Sequence, residues 1–518
     1  MTAVAGKDKP YDRLLSGARH RASRVKGRTL EEEADADRGR VLFSAPFRRL
    51  QNKAQVFSLE SNAAVRSRLT HSLEVASIGR FVAQQAIKAF SHSELETLGI
   101  AGKERPLTTF VETACLLHDL GNPPFGHFGE IAISDWFHLK ADSVKVANIA
   151  TDKLRKWDRY YLDFQHFDGN PQGFRIGTKL QPSETGDLCG LNLTATTLAA
   201  TLKYPWKSDS VGEKLPGRNG VRKKAGYFHT EQETVDWICA TLMIRQGSRH
   251  PLVNLMEAAD DIAYCVSDIE DGIEKGLIRG PQFAEYMERH AGAALSAAVK
   301  GKVNKDARDI LRALDLLKEP RRAINGGSVE RLTPMQDFHS AVIRFLARSA
   351  GVTFRIRQES ILEGTEDGLL RDSEASPLLA ALKEFAESSL YSSPVVRSRE
   401  ITAQAVLGGL LDAYLPLMCC DRGRFNEALA GHRRDDHGRP IARDSSLMSR
   451  ISRKYLAVYR EALRRTEDEF KGDSGAAEVM ERIHRMRLIV DHVSGMTDEF
   501  ALRSFQLISG VHVNPNWV

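Results

Sequence analysis

From Leu252 to Ile273 the residues Leu255, Ala259, Ile262, Val266, Ile269 and Ile273 recur at steps of three and four, which is one apolar stripe of an α-helix. At about 100° per residue, Asp260, Tyr264, Ser267 and Asp271 share a second face, and Asp268 borders it. The same period places Val75, Ile78, Val82, Ala86 and Ala89 on one side of a helix from Ser72 to Ala89. A third helix is predicted from Thr109 to His118, ended by the breakers Gly121-Asn122-Pro123-Pro124. No convincing succession of strands with a two-residue period is found, so the chain reads as all-α.

Length and composition fit that reading. The 518 residues suffice for one large domain or two to three ordinary ones, and 42% hydrophobic with 27% charged residues suits a core-forming globular chain. A net charge of +5 is too mild to argue a nucleic-acid binder, though a local basic patch for a phosphate-rich ligand is compatible with it. The six cysteines (Cys115, Cys189, Cys239, Cys265, Cys419, Cys420) show no CxxC spacing and read as reduced thiols. No run of about 18 apolar residues appears, so no membrane span is expected. The opening MTAVAGKDKPYDRLLSGARHR lacks the apolar centre of a secretory signal, and a cytoplasmic location is the expectation.

Three stretches rich in Gly, Pro and polar residues read as loops: Asp168 to Asp187, Lys203 to Tyr227, and Gly431 to Ser446. The last two are basic and suit a solvated surface. A boundary is placed near residue 280. Residues 1–280 then carry most of the chemistry, and 281–518 also read as helical but carry less of it.

The densest chemistry lies in LLHDLGNPPFGHFGE, from Leu116 to Glu130. An apolar helix there delivers His118 and Asp119 together, a nitrogen and an oxygen donor suited to a divalent cation such as Mn²⁺, Fe²⁺ or Co²⁺, and able to hold Mg²⁺. RSRLTHSLEV adds His71 at the start of another helix, and EAADDIAYCVSDIEDG adds Asp260 and Asp261. That acidic face either is solvated or lines a polar cavity; periodicity leaves both open.

The order His71, His118-Asp119, Asp260 resembles the His…His-Asp…Asp signature of the HD metal-dependent phosphohydrolases. The segment from Asp37 to Val75, HDLGNPPFGHFGE, HFDGNPQG from His166, LMEAADDIAYCVSDIEDG from Leu255 and SGMTD from Ser494 narrow the likeness to the bacterial dGTP triphosphohydrolase branch. These motifs span most of the chain in the expected order.

The resemblance implies that His71, His118, Asp119 and Asp260 hold one divalent metal ion per subunit, Mg²⁺ or Mn²⁺ first and Fe²⁺ or Co²⁺ as further candidates. Asp260 rather than Asp261 is chosen because the family sets its ligand four residues before a tyrosine, here Tyr264. It implies His127 and Glu130 as the catalytic pair. Arg68, Lys203 and Tyr204 resemble phosphate contacts, and Asn170 and Asp268 further substrate contacts. Gln55 resembles the reader of the guanine edge, and Tyr264 a ring packed on the sugar that excludes a 2′-hydroxyl. Ala54 departs from the more usual Lys-Thr-Gln of that motif and touches the nucleobase pocket.

The implied activity is hydrolysis of dGTP to deoxyguanosine and inorganic triphosphate by attack of water at the α-phosphorus. A broader dNTP triphosphohydrolase and a nucleotide sensor without turnover are the alternatives. Six intact residues, His71, His118, Asp119, Asp260, His127 and Glu130, weigh against the sensor, which has no need of them all. The family further implies a homo-oligomer, a hexamer by likeness. The basic GRNGVRKK insertion keeps single-stranded nucleic acid as an effector to consider.

Overall fold

A computed structural model describes residues 9–57, 62, 65–144, 151–181, 190–215, 220–300, 304–318 and 333–511. Among them the secondary structure is helical, with isolated bridges and no strand. The helices that place the site are α1 (Arg68–Ala89), α2 (Glu104–Leu117), α3 (His127–Leu139), α4 (Gly169–Thr178), α5 (Pro251–Glu274), α6 (Thr333–Ile356), α7 (Pro394–Cys419), α8 (Ser474–Ser494) and α9 (Asp498–Ser509).

Local chemistry sets where the key helices begin. The Ser67 side chain accepts from the Thr70 amide while Thr70 returns a bond to Ser67, so α1 starts with Arg68 and His71 in its first turn. Helix α2 starts at Glu104, five residues before the stretch predicted from Thr109, and His118 forms its C-cap. His250 caps α5, with Pro251 at the first helical position.

Helices α1, α2, α5 and α6 pack on one another around the first buried core. The α5 stripe of Leu255, Ala259, Ile262, Val266 and Ile269 is fully buried. Each of its larger side chains contributes about 1.5–3 kcal/mol of burial. The opposite face of α5 is not solvated either: Ser267, Asp268 and Asp271 are buried as well. The solvated alternative fails for these three residues, which pair with Glu74, Tyr391 and Arg66 of other segments.

A second core joins Phe125, α3, the helix Thr151–Gln165, α7, α8 and Ala501 of α9. Each core draws on residues from both sides of position 280, so the C-terminal helices belong to the same body as the site. Although no apolar run stood out in the sequence, Val396–Cys419 is long and apolar enough to cross a membrane by length and composition. Half of that window is buried, and α7 packs on α3, α8 and α9 as a core helix does.

Two of the predicted loops need correction. Asp168 to Asp187 is not a loop throughout: Asp168 caps α4 by accepting from the Asn170 amide, and Phe174 and Ile176 are buried. Packing of these apolar side chains overrides the poor helix propensity of GNPQG; positions 182–187 lie outside the described residues. Lys203 to Tyr227 is irregular as predicted, and positions 212–214, 220, 221 and 223 are exposed, but Ser208, Ala225 and Tyr227 are buried and anchor it to the body; positions 216–219 lie outside the described residues. In Gly431 to Ser446 an Arg434–Pro440 bridge leads into a helix from Ala442. The five described cysteines are free thiols, and Cys189 lies outside the described residues.

Candidate metal centre and active site

The start of α1, the end of α2 and the middle of α5 bring His71, His118 and Asp260 together, with one donor atom from each lying within 4.8 Å of the others. Asp260 Oδ1 is 3.6 Å from His71 Nε2 and 3.5 Å from His118 Nε2. The His118 Nδ1–H donates to the Cys115 carbonyl at 2.6 Å. That leaves its Nε2 as a lone pair, and this buried atom has no hydrogen-bond partner. Two imidazoles and a carboxylate, one imidazole held in the ligating tautomer by a backbone carbonyl, fit a divalent cation. Asp261 turns away to pair with Lys383 at 2.9 Å.

Asp119 sits at the edge of this group, with Oδ1 3.6 Å from His118 Nε2. Its Oδ2 accepts from Arg68 Nη1 at 2.6 Å, and its Oδ1 accepts from Asn122 Nδ2 at 2.6 Å. Burial alone would raise this carboxyl, but Arg68 and the two histidines hold it at about 2. Asp260 is likewise opposed by burial and held well below the usual carboxylate range by His118, His71 and Lys203. Both groups are therefore anionic at neutral pH.

The turn after α2 positions the catalytic candidates. Phe125 and Gly126 are consecutive left-handed residues, at φ 64° and 59°, and they launch α3 with His127 as its first residue. A Cβ on Gly126 would stand 2.4 Å from Arg68 Nη2, so only glycine lets the turn pass over this guanidinium. His127 Nδ1 lies 2.8 Å from Glu130 Oε2. Glu130 Oε1 accepts from the Gly169 amide at 2.7 Å, a contact that a side chain at 169 would crowd. Glu130 is buried, whereas the His127 side chain is 67% exposed. Burial pushes Glu130 up, but the His127 hydrogen bond, Lys224 and the Gly169 amide bring it below its ordinary value.

The remaining candidates line the approaches. Lys203 Nζ stands 3.5 Å from Glu257 and 3.9 Å from Asp260 Oδ2, and the Tyr204 ring follows it. Asn170 Nδ2 donates to Asp168 at 2.6 Å, and Asn170 lines a small cleft with His118, Phe174 and Thr201. Gln55 presents a buried Oε1 with no partner. Tyr264 stacks on Tyr391 at 5.8 Å, and the Tyr391 hydroxyl donates to Asp268 at 2.5 Å. Burial lifts Asp268 to about 7.

Three contributors escaped the sequence reading. Lys224 reaches in from the basic insertion to Asp168 at 2.5 Å and Glu130 at 3.6 Å. Its neighbours Lys223 and Arg222 hid it in a charge run. Tyr391 comes from a stretch without a motif. Asp168 read as a loop residue, although its place one residue before Gly169-Asn170 is an N-cap signal.

Comparison with known proteins shows which family the chain resembles. The HD domain family model matches residues 68–172, and the phosphohydrolase-associated domain matches residues 447–507. A Pseudomonas aeruginosa protein named "Probable deoxyguanosinetriphosphate triphosphohydrolase" is 34% identical over 514 residues, 98% of each chain. Deoxyguanosinetriphosphate triphosphohydrolases of Yersinia enterocolitica and Yersinia pseudotuberculosis are 32% and 33% identical, each over 91% of this chain and 92% of its own.

Proposed function

The chain belongs to the deoxyguanosinetriphosphate triphosphohydrolase family of HD-domain proteins, and from that premise we propose that it hydrolyses dGTP to deoxyguanosine and inorganic triphosphate. The observation that carries this reading is the cluster of His71, His118 and Asp260 donors, with Asp119 at its edge paired to Arg68, whose guanidinium lies against the Gly126 turn that leads into His127 and Glu130. The trio, with Asp119 beside it, would hold one divalent cation, Mg²⁺ or Mn²⁺ by family likeness, with Fe²⁺ and Co²⁺ also compatible with the donor set. Such an ion supplies Lewis-acid polarisation of a phosphoryl oxygen.

The protein's own groups do the rest. Water would attack the α-phosphorus, and the 5′-oxygen of deoxyguanosine would leave with a proton. Glu130 is fixed at both oxygens, by Gly169 and by His127, which orients the imidazole. With Nδ1 committed to Glu130, Nε2 is the His127 atom that exchanges a proton with water or the 5′-oxygen. Arg68, Lys203, Tyr204 and Asn170 are assigned to the phosphates, and Gln55 to the guanine edge. Tyr264 and Asp268 are assigned to the deoxyribose, where a packed ring disfavours a 2′-hydroxyl. Residues 281–518 complete the site through Tyr391 and Asp498. A cytoplasmic homo-oligomer, a hexamer by family likeness, belongs to the same reading, as does single-stranded nucleic acid as an effector to be tested.

The test is incubation of purified protein with Mn²⁺ or Mg²⁺ and each of dGTP, dATP, dCTP, dTTP and GTP, with products resolved by chromatography. Deoxyguanosine and intact triphosphate formed mainly from dGTP support the proposal. Equal turnover of all four dNTPs removes the guanine selectivity given to Gln55. A monophosphate or diphosphate product overturns attack at the α-phosphorus.

A further inference from the structure

Two buried side chains tie together three segments that are far apart in sequence. Asp498, the first residue of α9, is only 3% exposed. Its Oδ1 accepts from the Phe125 amide at 3.0 Å, and its Oδ2 accepts from the Ala54 amide at 3.2 Å. Lys53 is 4% exposed, and its Nζ donates to the Asn122 carbonyl at 2.5 Å and the Ser494 carbonyl at 3.0 Å. Residues 53–54, 122–125 and 494–498 are thus cross-tied by a lysine and an aspartate, each satisfying backbone groups of the other segments.

The first segment leads directly into Gln55. The second lies between Asp119, which Asn122 holds through its side chain, and His127. An aspartate at the first position of a helix ordinarily serves that helix's own N-terminus. Here Thr497 fills that role by accepting from the Phe500 amide, and both Asp498 oxygens go to other segments. Phe125 is also a non-glycine residue at φ 64°. Such a conformation persists only where its surroundings determine it, and the bond from its amide to Asp498 is one such determinant.

We propose that Asp498 is a positioning residue that, with Lys53, locks the base-reading segment at Gln55 to the turn presenting His127 and Glu130. Guanine contact and proton transfer are thereby held in a single register. This rests on the roles assigned above to Gln55, His127 and Glu130. The phosphohydrolase-associated segment, matched over residues 447–507, then acts in substrate choice as well as in packing.

The test uses Asp498→Asn in the full-length protein. The amide keeps one acceptor oxygen but sets an NH₂ against a backbone N–H, so one tether is lost. Losing a buried bond to a charged acceptor predicts a fall in kcat/KM for dGTP of about 10- to 100-fold. The preference for dGTP over dATP should collapse with it. In a Gln55→Ala background, adding Asp498→Asn should cause no further loss of preference, because both changes remove one element. Hydrogen exchange at the Ala54 and Phe125 amides should accelerate in the variant. An equal fall for all dNTPs with preference intact, or preference losses that multiply in the double variant, overturns the proposal. If Asp498→Asn does not fold, Lys53→Met tests the same tie, with the same selectivity loss expected and an unchanged preference overturning it. A wild-type protein inactive on every dNTP defeats the functional reading, whereas unchanged exchange at both amides defeats the tether itself.

Discussion

The His118 Nδ1 lies 2.6 Å from the Cys115 carbonyl oxygen, three residues back in the same chain turn. A carbonyl can only accept, so the ring nitrogen must donate, and the neutral imidazole carries its lone pair on Nε2. That Nε2 is 3.5 Å from Asp260 Oδ1 and has no hydrogen-bond partner of its own. The α2 C-terminus therefore shapes a ligand before any cation arrives, and His118→Ala or Asp260→Ala should abolish metal binding and turnover together. Loss of a ligand is expected to weaken metal affinity by more than the roughly 10- to 100-fold typical of outer-shell partners. Metal content by elemental analysis and product formation should fall in parallel; full activity in either variant would remove this centre from the mechanism.

Glu130→Ala separates catalysis from binding. Glu130 contacts His127 and the Gly169 amide, and neither belongs to the His71, His118 and Asp260 donor group. The variant should keep metal and bind dGTP while kcat falls by about 10²- to 10⁴-fold, the usual span for a lost proton-transfer group. Binding measured by calorimetry alongside single-turnover kinetics checks this, and unchanged kinetics would move the catalytic role elsewhere.

The chemistry-bearing helices were legible because their apolar period is set by burial on a single face, as for Leu255 through Ile269. The family motifs then pointed to residues that the fold brings together, such as His71 with His118 and Asp260. Periodicity could not show that Asp268 and Asp271 are buried, since their partners Tyr391 and Arg66 come from other segments. Lys224 was illegible for the same reason: only tertiary packing turns one lysine of a basic run toward Asp168. The α4 helix was missed because Gly169, Pro171 and Gly173 are weak helix formers, and burial of Phe174 and Ile176 decides the outcome.

Gly126→Ala tests the turn over Arg68. The residue sits at φ 59°, and an added Cβ would come within 2.4 Å of Arg68 Nη2. The backbone strain alone costs about 1 kcal/mol. The displaced guanidinium also loosens its 2.6 Å pairing with Asp119. Thermal stability should drop modestly while kcat/KM drops by more than that loss accounts for. A variant with wild-type kinetics would show that the turn adapts without moving Arg68.

Two buried histidines make stability depend on pH. His250 Nε2 pairs with the Leu14 carbonyl while its Nδ1 accepts from the Leu252 amide, and burial lowers its pKa to about 4. His492, beside the Tyr414 hydroxyl, is lowered by burial and by Arg450 to about 4. In the unfolded chain both titrate near 6.5. Between those values the unfolded state binds more protons than the folded state, so stability is retained above about pH 6.5 and lost as pH falls toward about 4. The loss is on the order of 3 kcal/mol for each ring at the acid end. Carboxylate titration overlaps this window, so the informative comparison is between wild type and His250→Asn, whose amide oxygen still accepts from the Leu252 amide. Urea midpoints measured from pH 7 to pH 4 should fall less steeply in the variant, by about one proton's worth of slope. Parallel curves would mean that His250 takes up its proton without unfolding, through a rearrangement of the α5 cap.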